Sequence, residues 1–123
     1  MDVAELCGAE LDAWVALAQG HRAVSVTCTG GGRRECRSLR PDALQPQRYS
    51  PSTDWALAVP IIEQEHIALR DMDAARPEPM FEAMLRSGEV TWFAEGELPL
   101  IAAMRVYVRS RFTEAQLGAP PFG

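Results

Sequence analysis

The chain has 123 residues, 47% of them hydrophobic and 24% charged, with a formal net charge of −5. That length and balance suit one domain with its own core, and they exclude a chain disordered throughout. Three cysteines exclude a disulfide framework. No basic leader precedes an apolar run and no apolar run is long enough for a membrane span, so the expected setting is a reducing cytoplasm.

"ELCGAELDAWVALAQG" at the start recurs at helical spacing through Cys7, Leu11, Trp14, Val15 and Ala18. Cys7 stands at the N-cap with Glu10 three residues on, and Gly20 suits a left-handed stop. Cys caps poorly, so Cys7 is expected to be partly buried and unreactive. "AVSVTCT" alternates, is rich in β-branched residues and reads as a strand. The glycines of residues 30–32 break it.

Residues 22–48 hold six Arg against Glu35 and Asp42, a local charge of +4, while the rest of the chain carries −9. With few apolar anchors, residues 30–48 read as a long, mobile Arg- and Pro-rich loop. If exposed, Cys36 among Arg33, Arg34 and Arg37 would have a lowered pKa. "YSPSTDW" follows. Ser50 suits a cap, Pro51 the first helical position, and Ser52, Thr53 and Asp54 the first turn. Pro60 interrupts, so two short helices are expected over residues 51–58 and 60–65.

"IALRDM" reads as a strand, "PEPMFEAMLRSG" as a helical turn or two, and "EVTWFAE" as a second alternating strand. "PLIAAMRVYVRSRF" is the strongest helix. Its stripe is Leu100, Ile101, Met104, Val108 and Phe112, with Arg105, Arg109 and Arg111 favourable near its C-terminus. Residues 114–123 read as a short tail. Trp14, Trp55 and Trp92 are assigned to the core. The pattern predicts a small single α+β domain over residues 1–123, with a thin, mostly antiparallel sheet of two to three strands packed against helices.

Four pieces occur together in order: "ELCGAELDAWVALAQG", "YSPSTDW", "PIIEQEHI" and "PLIAAMRVYVRSRF". With these the chain resembles the NinX-like family of bacteriophage and prophage proteins. The resemblance implies a phage or prophage origin and a small cytoplasmic protein in a bacterial host. It implies no assigned activity and carries over no catalytic residues. The chain departs from the family pattern at Cys7, often a hydroxyl residue there, at Leu57, Ala58 and Val59, where glycines are common, and in its Arg-rich stretch.

The leading functional reading is a non-enzymatic accessory protein that binds a host or phage macromolecule. Its expected surface is the basic loop with the SPSTDW corner: Arg33, Arg34, Arg37, Tyr49, Ser52, Asp54 and Trp55. One rival is a small enzyme or enzyme modulator with a polar site at Ser52, Asp54 and His66. No nucleophile elbow supports it, and helix capping explains the hydroxyls more simply. The other rival is nucleic-acid binding through Arg33, Arg34 and Arg37. The acidic net charge and the lack of stacking aromatics before Tyr49 disfavour it. No cofactor or metal is expected, because Cys28 and Cys36 lack the close spacing of zinc ligands. A membrane partner is not expected. A homodimer is compatible with the sequence without being indicated by it.

Overall fold

The computed structural model describes residues 2–72 and 77–122. After a 3-10 turn at Val3–Glu5 come α1 (Gly8–Ala18), β1 (Arg22–Cys28), β2 (Arg34–Leu39) and β3 (Gln47–Arg48). Then follow α2 (Trp55–Glu65), β4 (Ala68–Asp71), β5 (Phe81–Ser87), β6 (Val90–Gly96), α3 (Pro99–Arg111) and α4 (Glu114–Leu117). The strands form two three-stranded antiparallel sheets, β1-β2-β3 and β4-β5-β6. The α+β class and the thin antiparallel sheet hold, with two such sheets instead of one.

Helix α1 packs on the first sheet, α3 packs on the second, and the two helices pack on each other. This explains why both are buried nearly all round. Leu11–Ala16 are buried without a break in α1, as are residues 102–108 in α3. A helix enclosed on all sides no longer needs a polar face, which a surface helix does. Leu11 and Val15 have no exposure, and truncating such a side chain to Ala costs about 2–5 kcal/mol.

Four expectations need correction. Residues 30–48 are not one loop, because they contain β2 and β3. In β2 the inward residues are Cys36 and Ser38, too small and too polar to announce a strand beside so many arginines. "FEAMLR" is strand β5 and not helical. Ala83 and Leu85 are buried while Met84 and Arg86 are exposed, a period of two that its helix-forming residue types conceal. It closes onto β6 through Gly88 and Glu89, with Gly88 at φ +60°, which glycine adopts freely in tight hairpins.

The C-terminal tail also has structure. Thr113 Oγ1 accepts from the Gln116 N–H at 3.2 Å, and Gln116 Oε1 accepts from the Thr113 N–H at 2.8 Å. This capping box starts α4, whose Leu117 is buried. Phe112 and Phe122 then pack edge-on against Trp14, with ring centroids 4.8 Å and 5.3 Å away.

Helix α2 is continuous, and it begins later than expected. Residues 51–53 form a turn, and the Ser50 carbonyl accepts from the Thr53 and Asp54 N–H groups. Asp54 is the cap, its Oδ1 accepting from the Ala56 N–H at 2.9 Å. Pro60 sits inside the helix without ending it. Ala56 and Pro60 are both exposed, so the carbonyl that Pro60 leaves without a helical donor is open to water. His66 closes the helix in the left-handed region at φ +53°.

Candidate functional site

A solvent-open cleft of about 380 Å³ lies between α2 and the turn that follows β2. One wall is apolar: Ala56, Leu57, Pro60 and Ile61 of α2, with Pro41 opposite. The polar lining comes from Gln19 at the end of α1, His21 before β1, Arg40 and Asp42 after β2, and Tyr49 after β3. The loops at one end of the first sheet thus bring together side chains scattered over thirty residues of sequence.

Most of these polar groups are held by an identifiable contact. The Tyr49 N–H donates to the Cys36 carbonyl at 2.9 Å, and its ring lies 4.6 Å from that of His21. The Arg40 guanidinium sits over the Tyr49 ring, 5.6 Å from its centroid. His21 Nδ1 is 2.8 Å from Ser38 Oγ, and Gln19 Nε2 donates to the Tyr107 hydroxyl at 2.6 Å. Burial lowers the His21 pKa, and Arg40 lowers it further against a smaller opposite pull from Asp42. The ring is therefore neutral at pH 7. Burial raises the Tyr49 phenol, which stays protonated. Among the described residues, no carboxylate lies within ion-pair distance of Arg40.

Beneath the cleft is a buried polar layer. Asp12, on α1, accepts from the Ser52 backbone N–H at 2.8 Å. Burial lifts its pKa to about 6, despite the opposing pull of Ser52 and of more distant Arg48. The Ser52 hydroxyl faces the same carboxylate, yet it meets no acceptor or donor in good hydrogen-bond geometry. Cys36 is buried, and burial together with Asp12 pushes its thiol up to about 12. The lowered thiol expected of an exposed Cys36 therefore does not arise, since the side chain is buried and has a carboxylate nearby. Cys7 is exposed, contrary to expectation, and makes no side-chain cap.

The residues singled out in the sequence fall in different places. Arg34 and Arg37 lie on opposite faces of β2, because side chains alternate along a strand. Arg34 pairs with Glu10 of α1. Arg37 bonds the Pro46 carbonyl and lies 3.6 Å from Glu35, which Arg48 also approaches. Arg33 is exposed in the β1–β2 loop. The three arginines do not form one patch. Ser52 is buried, Asp54 is used as a cap, and His66 stands at the far end of α2, about 18 Å from Asp54 at the helical rise per residue. No Ser52/Asp54/His66 site is assembled.

Of the singled-out residues, Tyr49 lines the cleft, and Trp55 stands beside Ala56 at its edge. Trp55 is 52% exposed, so it does not belong to the core as assigned. The sequence reading missed Gln19, His21, Arg40, Asp42 and Asp12. The available signal was Asp12, a carboxylate on the apolar face of the first helix.

Fold and cleft together define a small α+β protein with an open, mixed apolar and polar cleft at one sheet end. Among the described residues, no helix is long and apolar enough to cross a membrane, and no cluster of three His, Cys, Asp or Glu could hold a metal ion. The family profile described as bacteriophage P22 NinX matches residues 2–111, and the chain belongs to that phage family. No curated protein matches the chain.

Proposed function

We propose that this phage-family protein is a non-enzymatic binding module. It acts in the cytoplasm of the bacterial host by docking a host or phage protein into the cleft between α2 and the turn after β2. The observation that carries this reading is the cleft's rim. Trp55 and Val59 are exposed one helical turn apart on α2, at 52% and 37%, beside the apolar wall of Ala56 and Pro60. Leu44 is 99% exposed on the far side of the same Arg40–Asp42 turn. Exposed aromatic and aliphatic anchors around a concave floor, with an arginine that has no acidic partner among the described residues, are what a protein interface uses. A partner segment with an apolar side chain next to a carboxylate would meet the α2 wall and Arg40 together.

The test is a pull-down from host lysate with the wild-type chain, Trp55→Ala and Arg40→Glu, with and without nuclease. Both positions are at the cleft. Trp55 is exposed and Arg40 touches the core only through the face of the Tyr49 ring, so circular dichroism is the check that each variant keeps its fold. The expected result is a protein retained by the wild type, insensitive to nuclease, and reduced at least about tenfold in each variant, equal to about 1.4 kcal/mol. Equal retention by all three chains would move the surface away from the cleft. Retention abolished by nuclease would replace protein by nucleic acid as the partner.

A further inference from the structure

The two sheets have four edges between them, and three are blunted. β3 is only two residues long and ends in Arg48. β4 has four residues and carries Arg70 and Asp71. β6 is sealed: Arg105 Nη1 donates to the Glu95 carbonyl at 2.8 Å, and Arg109 Nη1 donates to the Phe93 carbonyl. Shortness, charge and cover are the usual ways to stop an edge from pairing.

Strand β1 has none of these along most of its length. It runs seven residues, and Ala23–Cys28 contains no charge and no proline. Among the described residues, α1 covers one of its faces and β2 takes one edge. Which backbone groups face outward follows from the ladder. The Thr29 N–H donates to the Arg33 carbonyl at 2.7 Å, just beyond the last register pair, Cys28 with Arg34. Hydrogen-bonded pairs alternate in an antiparallel ladder, so Thr27–Glu35 and Ser25–Arg37 carry the β1–β2 bonds. The other side of β2 agrees, since the Cys36 carbonyl accepts from Tyr49 and not from β1. Val26 and Cys28 therefore turn their N–H and C=O groups away from β2. No other described group takes them up.

We propose that β1 is an association edge, and that its occupant is β1 of a second copy of this chain, laid antiparallel across a two-fold axis at Thr27. A two-fold edge must be complementary to itself. With the axis at Thr27, Val26 of one copy faces Cys28 of the other in hydrogen-bonded pairs, and Ser25 faces Thr29. Every residue in this stretch is uncharged, so no like charges meet. Thr27 faces its own copy in the closely spaced, non-hydrogen-bonded position, a pairing that threonines favour. Arg22 lies outside the paired stretch, as does the bulge between Arg22 and Ser25, which twists the strand's first residues away. Val24 and Val26 already pack against the core, so the apolar layer would continue across the joint. Two such chains form one six-stranded sheet.

Thr27 is exposed and its side chain makes no hydrogen bond among the described residues, so it can be changed without loss of a described fold contact. The test is sedimentation equilibrium of the full chain from low micromolar to sub-millimolar concentration, with Thr27→Lys beside it. A second arm uses Thr27→Cys in a Cys7→Ser, Cys28→Ser background under mild oxidant, with Glu89→Cys at the β5–β6 turn as the control. The expected result is a wild-type dimer whose dissociation constant rises at least about tenfold in Thr27→Lys, since like charges are set directly opposite. Thr27→Cys should also form a covalent dimer while Glu89→Cys does not, because the facing Cα atoms come within disulfide reach. A wild-type chain that stays monomeric throughout would overturn the proposal. So would a dimer that Thr27→Lys leaves unchanged and Thr27→Cys fails to cross-link.

Discussion

Sheet β4-β5-β6 meets α3 with Ala83, Leu85 and Ala94, and its outer edge is tied down by Arg105 and Arg109. Sheet β1-β2-β3 meets α1 with Cys36 and Ser38, and the α1 residue beneath the cleft is a carboxylate, Asp12. Both are three-stranded, antiparallel and covered by one buried helix. One interface is held by apolar burial. The other carries buried polar groups that cost desolvation and are only partly compensated by hydrogen bonds. Buried, perturbed groups concentrate where a protein keeps a site, and here Asp12 and Cys36 lie close enough to act on Tyr49, which lines the cleft. The second sheet reads as scaffold, and the first as the sheet that carries the surface features.

The largest expected effect is on the scaffold side. Arg105 is nearly buried and donates to the Leu6 carbonyl at 2.9 Å as well as to Glu95. Arg105→Met should cost about 4 kcal/mol, as two charge-assisted bonds are lost and two carbonyls are left without a donor. Urea unfolding measures this. A loss below about 1 kcal/mol would mean that α3 does not hold the β6 edge.

Asp12 gives the polar side a different signature. Its pKa is raised from 3.8 to about 6 on folding, so the folded chain binds the extra proton between those values. The stability this group contributes is fully present below about pH 4 and is lost as pH rises through about 6. Over that window the loss is about 3 kcal/mol. Asp12→Asn keeps an acceptor for the Ser52 N–H and no longer titrates, so it should flatten that slope. Denaturant midpoints at pH 4, 5, 6 and 7 decide it, and an unchanged slope would place the titration elsewhere.

Gly96→Ala comes next. A Cβ there would lie 2.6 Å from the Ala102 backbone nitrogen and 3.1 Å from its Cα. Neither can give way without moving α3 off β6, so a loss of about 2 kcal/mol is expected, seen as a lower Tm. The smallest effect belongs to Ser52→Ala. The hydroxyl has no partner to lose, and its removal should be neutral or stabilising by up to about 1 kcal/mol. A loss above about 1 kcal/mol would show that the hydroxyl is bonded to Asp12.

Legibility did not follow that divide, since each sheet held both readable and hidden strands. β1, β4 and β6 were readable from alternation and β-branched residues, and α1 and α3 from helical periodicity. β5 was misread because Glu, Ala, Met, Leu and Arg favour helix intrinsically, while its pairing with β4 and β6 overrides that preference. β2 was hidden because its inward residues are a cysteine and a serine. The candidate cleft was almost illegible. Gln19, His21, Arg40 and Asp42 belong to no motif, and they converge only because the loops at one end of the first sheet sit together over α2.

The sequence by itself determined the class of fold, the family resemblance, most of the regular elements and the hydroxyl- and acid-rich lead into α2. These are set by local periodicity, capping and composition, which act over a few residues. Only the tertiary structure decided that Arg34 and Arg37 face apart, that Ser52 is buried against Asp12 and that Trp55 stays in water. It also decided that β6 is sealed while β1 is open. Each of those depends on which distant segment comes to lie alongside, and the free energy of that choice resides in burial and pairing between elements rather than within any one of them.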